Sequence, residues 1–209
     1  GDAAFGEPDP FVIEKVSEAL KSGLRSGGKT YPVEILLRDG QSDPATGAKV
    51  ANQLINEDGV DLMLATSTPE TVNPVSDACE AAGVPCLSTV EPWQSWYLGR
   101  GGEIGKPSPF KYTFHFYSGA ENFVTTYSSQ WAQLPTNKKV GALWPNDADG
   151  NAFREVLGPQ LEEHGYTIVD PGAFPDGLND FSAQISEFKS KGCEILSSIA
   201  LPPDFATFW

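Results

Sequence analysis

Hydroxyls, carboxylates and tryptophans gather in three short strings: ATSTPETVNP at 65–74, LSTVEPWQSW at 87–96 and ALWPNDADGN at 142–151. Each follows an apolar, β-branched run and opens onto a polar or helical segment. Such side chains hold a small molecule by hydrogen bonds, ion pairs and aromatic cover. None of the three strings carries a histidine, a cysteine pair or a phosphate loop. His115 and His164 are the chain's histidines, and neither stands beside a serine or cysteine nucleophile motif. No GxGxxG or CxxC occurs. Binding without turnover is expected, with no cofactor.

Each candidate has a functional and a plain structural role. Ser67 and Thr68 precede a helix, where amides and hydroxyls attract anions, or where they simply cap the helix. Glu91 can pair with an amine, or be a solvated glutamate. Trp93 and Trp96 sit in a proline-bearing loop and can cover an apolar, aromatic or cationic ligand. Packing against their own lobe is the alternative, more so for Trp96. Asp147 and Asp149 suit a ligand with an amine or several hydroxyls. An Asn/Asp run also makes turns and caps helices. The run partly matches a calcium loop, D-x-[DN]-x-[DN]-G, but lacks the full register and the distal glutamate, so no metal is expected.

The elements that must position these residues follow from periodicity. Val12, Val16, Ala19, Leu20 and Leu24 share one helical face over 10–26, with Gly27-Gly28 as its stop. Residues 33–37 then read as a strand. Asp43-Pro44 offers an N-cap followed by proline in the first helical turn. Val50, Leu54 and Ile55 mark the helix face that follows. Strands at 60–65 and 84–88 flank a helix over about 70–82. Residues 92–138 hold GRGGEIGKPSP, a poor candidate for regular structure, then a strand at 112–116 and a helix near 121–133. The alternation resumes with strands at 139–144, 166–169 and 194–200. The helices between them lie at about 150–165, with a bend at Gly158-Pro159, and after Asp180. Strands separated by helices imply βαβ units and parallel sheets. The fold class expected is α/β, with two Rossmann-like lobes: lobe 1 over 1–117 and lobe 2 over 118–209. The chain reads as incomplete at both ends. It opens on a loop-like stretch with no strand before the first helix, and it stops inside a helical pattern.

Composition narrows the partners. The 209 residues suffice for one large or two small domains. The net charge of −14, from 28 acidic and 14 basic residues, repels nucleic acid, and no basic stripe offsets it. No window approaches the roughly 20 apolar residues of a membrane span. No signal peptide is read, so the segment is expected to be cytosolic or already processed. Of three cysteines, Cys79, Cys86 and Cys193, at least one is unpaired. Buried structural thiols are expected, with a Cys79–Cys86 bridge left open.

The run YPVEILLRDGQSDPATGAKVANQLINEDGVDLMLATSTPETVNPVSDACEAAGVPCLSTVEPW resembles the type I periplasmic solute-binding proteins of the branched-chain amino acid (Leu/Ile/Val) family. KVGALWPNDADGNAF is similar to that family's first lobe-2 strand and loop, and NDFSAQISEFKSKGCEILSSIALPPDFATF to the helix and strand after it. GDAAFGEPDPF is similar to the end of its first strand-to-helix loop. The resemblance implies an extracytoplasmic receptor, periplasmic or extracellular, with lipid anchoring as one option. It would close two lobes on a small solute and deliver it to an ABC permease, as a monomer. The same module as the sensor of a signalling receptor is the alternative. The resemblance further implies that Ser67, Thr68, Ser88 and Thr89 hold the ligand's polar groups. Phe5 and Trp93 would cover it, and Glu91, Asp147 or Asp149 would set specificity. Glu91-Pro92, Asp149 and Leu201 stand where the family tends to have a small residue and a hydroxyl, an aromatic, and another aromatic. A plain leucine ligand is therefore not expected.

Overall fold

A computed structural model describes residues 6–209. Helix α1 (Asp9–Ala19) is followed by an antiparallel hairpin, β1 (Leu24–Ser26) and β2 (Lys29–Tyr31). The first sheet then builds through α2 (Pro44–Asn56), β3 (Met63–Thr66), α3 (Pro69–Ala82), β4 (Cys86–Thr89), α4 (Trp93–Gly99) and β5 (Thr113–His115). Its order is β3-β4-β5, all parallel, with Thr66 opposite Thr89 and Ser88 opposite His115. Asp43 caps α2 as its sequence implies, its Oδ1 accepting the Thr46 N–H at 2.7 Å. Ala51 and Leu54 of α2 pack against Met63, Cys79 and Cys86. Both thiols are free, buried and hydrogen-bonded to each other, which together with burial pushes the Cys79 pKa up.

Glu80, on α3, fixes where β5 begins. Its carboxylate accepts the N–H groups of Lys111, Tyr112 and Thr113 and the Thr113 hydroxyl. Burial opposes its ionisation, but these bonds outweigh burial and hold its pKa low. The GRGGEIGKPSP stretch thus needs no strand of its own, because a single carboxylate ties its exit.

The chain passes from the first sheet to a second core between His115 and Ala120. Helix α5 (Ala120–Trp131) buries Ala120 and Val124 against Val140, Ala142 and Trp144 of that core. The second sheet contains β6 (Lys139–Leu143), β7 (Thr167–Val169) and β8 (Ile195–Ser198), in the parallel order β7-β6-β8. Helix α6 (Ala148–Ala152) runs through a π-helical turn (Phe153–Leu157) into α7 (Gly158–Glu163). The bend expected at Gly158-Pro159 is this π turn. The Gly158 N–H reaches Phe153 O, and the widened turn admits a proline that has no N–H to give. Helices α8 (Ser182–Lys191) and α9 (Pro202–Phe208) complete the chain. Phe188 of α8 packs with Leu143, Phe174 and Phe181 in a second cluster.

Two readings of the N-terminal region are corrected. The helix expected over 10–26 stops at Ala19, and Gly27-Gly28 are the tip of the β1–β2 hairpin rather than a helix stop. Both glycines have positive φ, the two-residue geometry that favours a tight hairpin. The strand expected over 33–37 has no pairing partner among the described residues. Leu36 packs on the core, while Val33, Ile35 and Leu37 are exposed. Helices cover one face of the first sheet. On the other, Leu64, Leu87 and Phe114 form one row across the three strands, exposed by 70%, 44% and 58%.

Leu157 is fully buried in the larger core of the second half. Leu157→Ala is expected to lower stability by about 2–5 kcal/mol, read as a lower midpoint in urea unfolding at unchanged slope.

Candidate functional site

Parallel strands end on one side, so the loops after β3, β4, β6 and β8 converge. They enclose a cleft of about 290 Å³. Ser67, Thr68, Val90, Glu91, Pro92 and Tyr117 line it from the first half. Phe123, Asp149 and residues 198–202 line it from the second. This is the crevice outside the carboxyl ends of the strands, where open α/β sheets bind ligands.

The turns that shape the first half's wall are strained. Ser67 follows β3 with φ +105°, and Val90 follows β4 with φ +88°. They occupy equivalent positions, each one residue past the paired Thr66 and Thr89. Backbone of this kind costs about 1–3 kcal/mol per residue and persists only where the surroundings hold it. For the β-branched Val90 it is a clear outlier. The two turns swing Thr68 and Glu91 over the strand ends.

Glu91 is 1% exposed, and neither carboxylate oxygen has a hydrogen-bond partner among the described residues. Its backbone carbonyl accepts from His115 Nε2 at 2.8 Å. That fixes the neutral His115 tautomer, with Nδ1 accepting the Ser88 hydroxyl at 2.9 Å. Burial keeps the His115 pKa low, although the Glu91 carbonyl opposes this. Burial pushes Glu91 up to about 9, with Asp149 and Glu70 adding to the rise and Arg100 opposing it. Arg100 is held elsewhere through two of its nitrogens, while its Nη2 is buried without a partner among the described residues. Its Nε pairs with Asp77 at 2.7 Å, its Nη1 donates to Thr113, and its guanidinium lies 4.0 Å from the Phe110 ring centroid.

Asp149 faces Glu91 from the second half. Its Oδ1 is enclosed without a partner. Burial raises it to about 7, with Asp147, Glu70 and Asp176 adding to the rise, while the nearby Ser95 hydroxyl opposes it without a well-formed bond. Asp147 takes the structural role. Its Oδ1 accepts the Gly150 N–H at 2.6 Å and caps α6. Burial also raises Asp147 to about 7. The cap is close to backbone, since a side chain at Gly150 would collide with the Pro145 carbonyl. Glu70 joins the halves by accepting the Ala148 N–H at 3.3 Å.

The structure brings Ser67, Thr68, Glu91 and Asp149 together, and sends three other expected contacts elsewhere. Ser88 is fully buried, its hydroxyl spent on β5. The Thr89 hydroxyl donates to Phe116 O at 2.8 Å. The Trp93 indole N–H donates to Glu121 Oε1 at 3.0 Å, and the ring lies so close to Gly119 that a Cβ there would clash. Trp93 and Gln94 thereby fasten α4 to the start of α5. Trp96 stacks on His115 and donates to Ser76, inside its own half. Phe5 lies outside the described residues. Tyr117, Phe123 and residues 198–200 escaped sequence reasoning, since each sits in an ordinary apolar pattern. Leu201 does line the cleft. Among the described residues, no group of His, Cys, Asp or Glu is placed to hold a metal ion.

Residues 17–209 match the family model described as periplasmic binding protein. The chain belongs to that family, with the type I fold. It is 23% identical over 205 residues to Leu/Ile/Val-binding protein homolog 3 of Brucella melitensis, covering 93% of this chain and 50% of the relative. A periplasmic binding protein type 1 from Bordetella pertussis superposes with a TM-score of 0.76 at 20% identity, covering 98% of this chain and 54% of that one. A solute-binding protein of an ABC transporter from R. palustris, in complex with 4-hydroxybenzoate, gives 0.70 at 20% identity, covering 94% and 51%. The chain thus spans about half the length of the proteins it resembles.

The raised carboxyls carry a signed pH dependence. Between its ordinary value of 4.5 and its folded value of about 9, Glu91 holds a proton in the native state that the unfolded chain has released. Stability therefore falls as pH rises through that window, by an amount on the order of a few kcal/mol. Asp147 and Asp149 add to the fall up to about 7. Urea unfolding at pH 5, 7 and 9 should show this decline, and Glu91→Gln should flatten the portion between 7 and 9. A flat wild-type profile would mean that Glu91 is solvated.

Proposed function

We propose that the chain is the ligand-binding part of an extracytoplasmic solute-binding protein serving an ABC uptake transporter. It binds a small polar solute, an amino acid or a related amine, amide or aromatic acid, between two lobes. The observation that carries the reading is the cleft lined from both halves at the strand ends. Family membership supports it, and so do relatives that are themselves solute-binding proteins. Residues 1–117 form one lobe and 118–209 the other, closing about the 116–119 crossing. Ser67 and Thr68 contribute amides and hydroxyls at the N-terminus of α3, and Tyr117, Phe123 and Leu201 the apolar walls. Solute would pass to a membrane permease in the periplasm or at the cell surface, with no chemical change.

A thermal-shift screen of the full-length protein against amino acids, aromatic acids, amides, amines and sugars tests this. A ligand at 100 times its dissociation constant should stabilise the fold by about 2.7 kcal/mol. Ala200→Trp fills the cleft and should weaken the hit at least tenfold while the unliganded fold still melts cooperatively. A hit that survives this change binds elsewhere, and turnover of the hit would replace a receptor with an enzyme.

A further inference from the structure

The cleft contains an electrostatic demand that its own residues leave unmet. Both Glu91 oxygens and Asp149 Oδ1 are enclosed without hydrogen-bond partners among the described residues. A buried carboxyl in that state is unfavourable unless something donates to it or neutralises it. Among the described residues, no lysine or arginine lines the cleft. Arg100, whose charge opposes the rise at Glu91, makes no hydrogen bond to it and is held by Asp77 and Thr113 through Nε and Nη1. A proton on each carboxyl neutralises it but supplies one donor for two oxygens.

We propose that the solute is a net-cationic organic amine, whose nitrogen sits between Glu91 of the first half and Asp149 of the second. This rests on the solute-binding reading and narrows it. An ammonium carries three donors and a full positive charge, and an amidinium carries a planar set. Either one meets two carboxyls from opposite walls, so the charge is fully enclosed only when both walls contribute. An anionic solute faces the opposite balance. The N-terminus of α3 favours anions, yet Glu70 lies in its first turn, and Asp147, Asp149, Asp176 and Glu91 surround the same space. Tyr117, Phe123 and Leu201 leave an apolar and partly aromatic wall for the rest of the molecule.

Binding then releases protons. At neutral pH the empty cleft keeps Glu91 protonated and Asp149 partly so, and an arriving cation displaces those protons to solvent. The charged groups facing the pair are Glu70, Asp147, Asp176 and Arg100, with neutral His115 behind the Glu91 carbonyl.

The test uses the full-length protein at pH 7.5 with benzylamine, agmatine and putrescine, set against benzamide, 4-hydroxybenzoate and leucine. Thermal shift finds binders, and calorimetry in two buffers of different ionisation enthalpy counts protons. The expected result is that an amine binds while the benzoate does not, with net proton release. Glu91→Gln and Asp149→Asn should each weaken the amine at least tenfold, and Glu91→Gln should reduce the protons released. Both changes keep side-chain shape, and their melting curves report folding separately. Binding of benzoate, leucine or benzamide with no amine binding overturns the cationic assignment and leaves the solute-binding reading intact. So does an amine whose affinity ignores both substitutions. A well-folded protein that binds none of these, nor any compound of the wider screen, overturns both.

Discussion

Parallel strand pairing is the constraint on which everything else here depends. A parallel strand needs a crossover to return, so each strand in a sheet finishes at the same edge. In the first sheet the register puts Thr66 beside Thr89, and the next residues of each strand, Ser67 and Val90, turn with the same positive φ. In the second sheet the register puts Leu143 of β6 beside Ser198 of β8, so these two strands also finish together. Sequence segments more than a hundred residues apart become two walls of one cleft, because the hydrogen-bonding geometry leaves their loops nowhere else to go.

The cleft so formed is electrostatically unbalanced. Many polar groups elsewhere are matched: Glu80 ties down three amides, Asp43 and Asp147 cap helices, Glu121 accepts two side-chain donors and Arg154 bridges Asp170 to the end of β6. Among the described residues, the buried side-chain oxygens and nitrogens without a partner include others, but those of Glu91 and Asp149 are the ones on residues that line the cleft. Buried unpaired carboxyls lower stability, and a site that retains them does so where a partner arrives from outside. The strained turns that position Glu91 point the same way, since strain persists where the surroundings impose it.

Much of the fold was legible. Asp43-Pro44, the glycines after each helix and the short β-branched runs marked α2, α3, β3, β4, β6 and β8 to within a few residues, because caps and breakers act locally. The reading failed where partners were needed. Residues 33–37 have strand composition, but no neighbouring strand pairs with them among the described residues. Gly27-Gly28 is a stop signal that the hairpin uses as a turn. The site was half legible. Ser67, Thr68, Glu91 and Asp149 were visible as polar residues at strand ends. Ser88, Thr89 and Trp93 share that pattern, and only the packing of β5 and α5 against them shows that their donors are already spent.

The sequence alone determined the α/β class, the order of the elements and the acidic character. These rest on local propensity, period and composition, which need no knowledge of neighbours. The tertiary structure decided which carboxyls are buried without a partner among the described residues, which hydroxyls are already spent on neighbouring strands, and that Tyr117, Phe123 and Leu201 share a cleft with Glu91. Burial and hydrogen-bond satisfaction are properties of what surrounds a residue. In this chain those surroundings come from strands and helices far apart in sequence, brought together only by the parallel sheets.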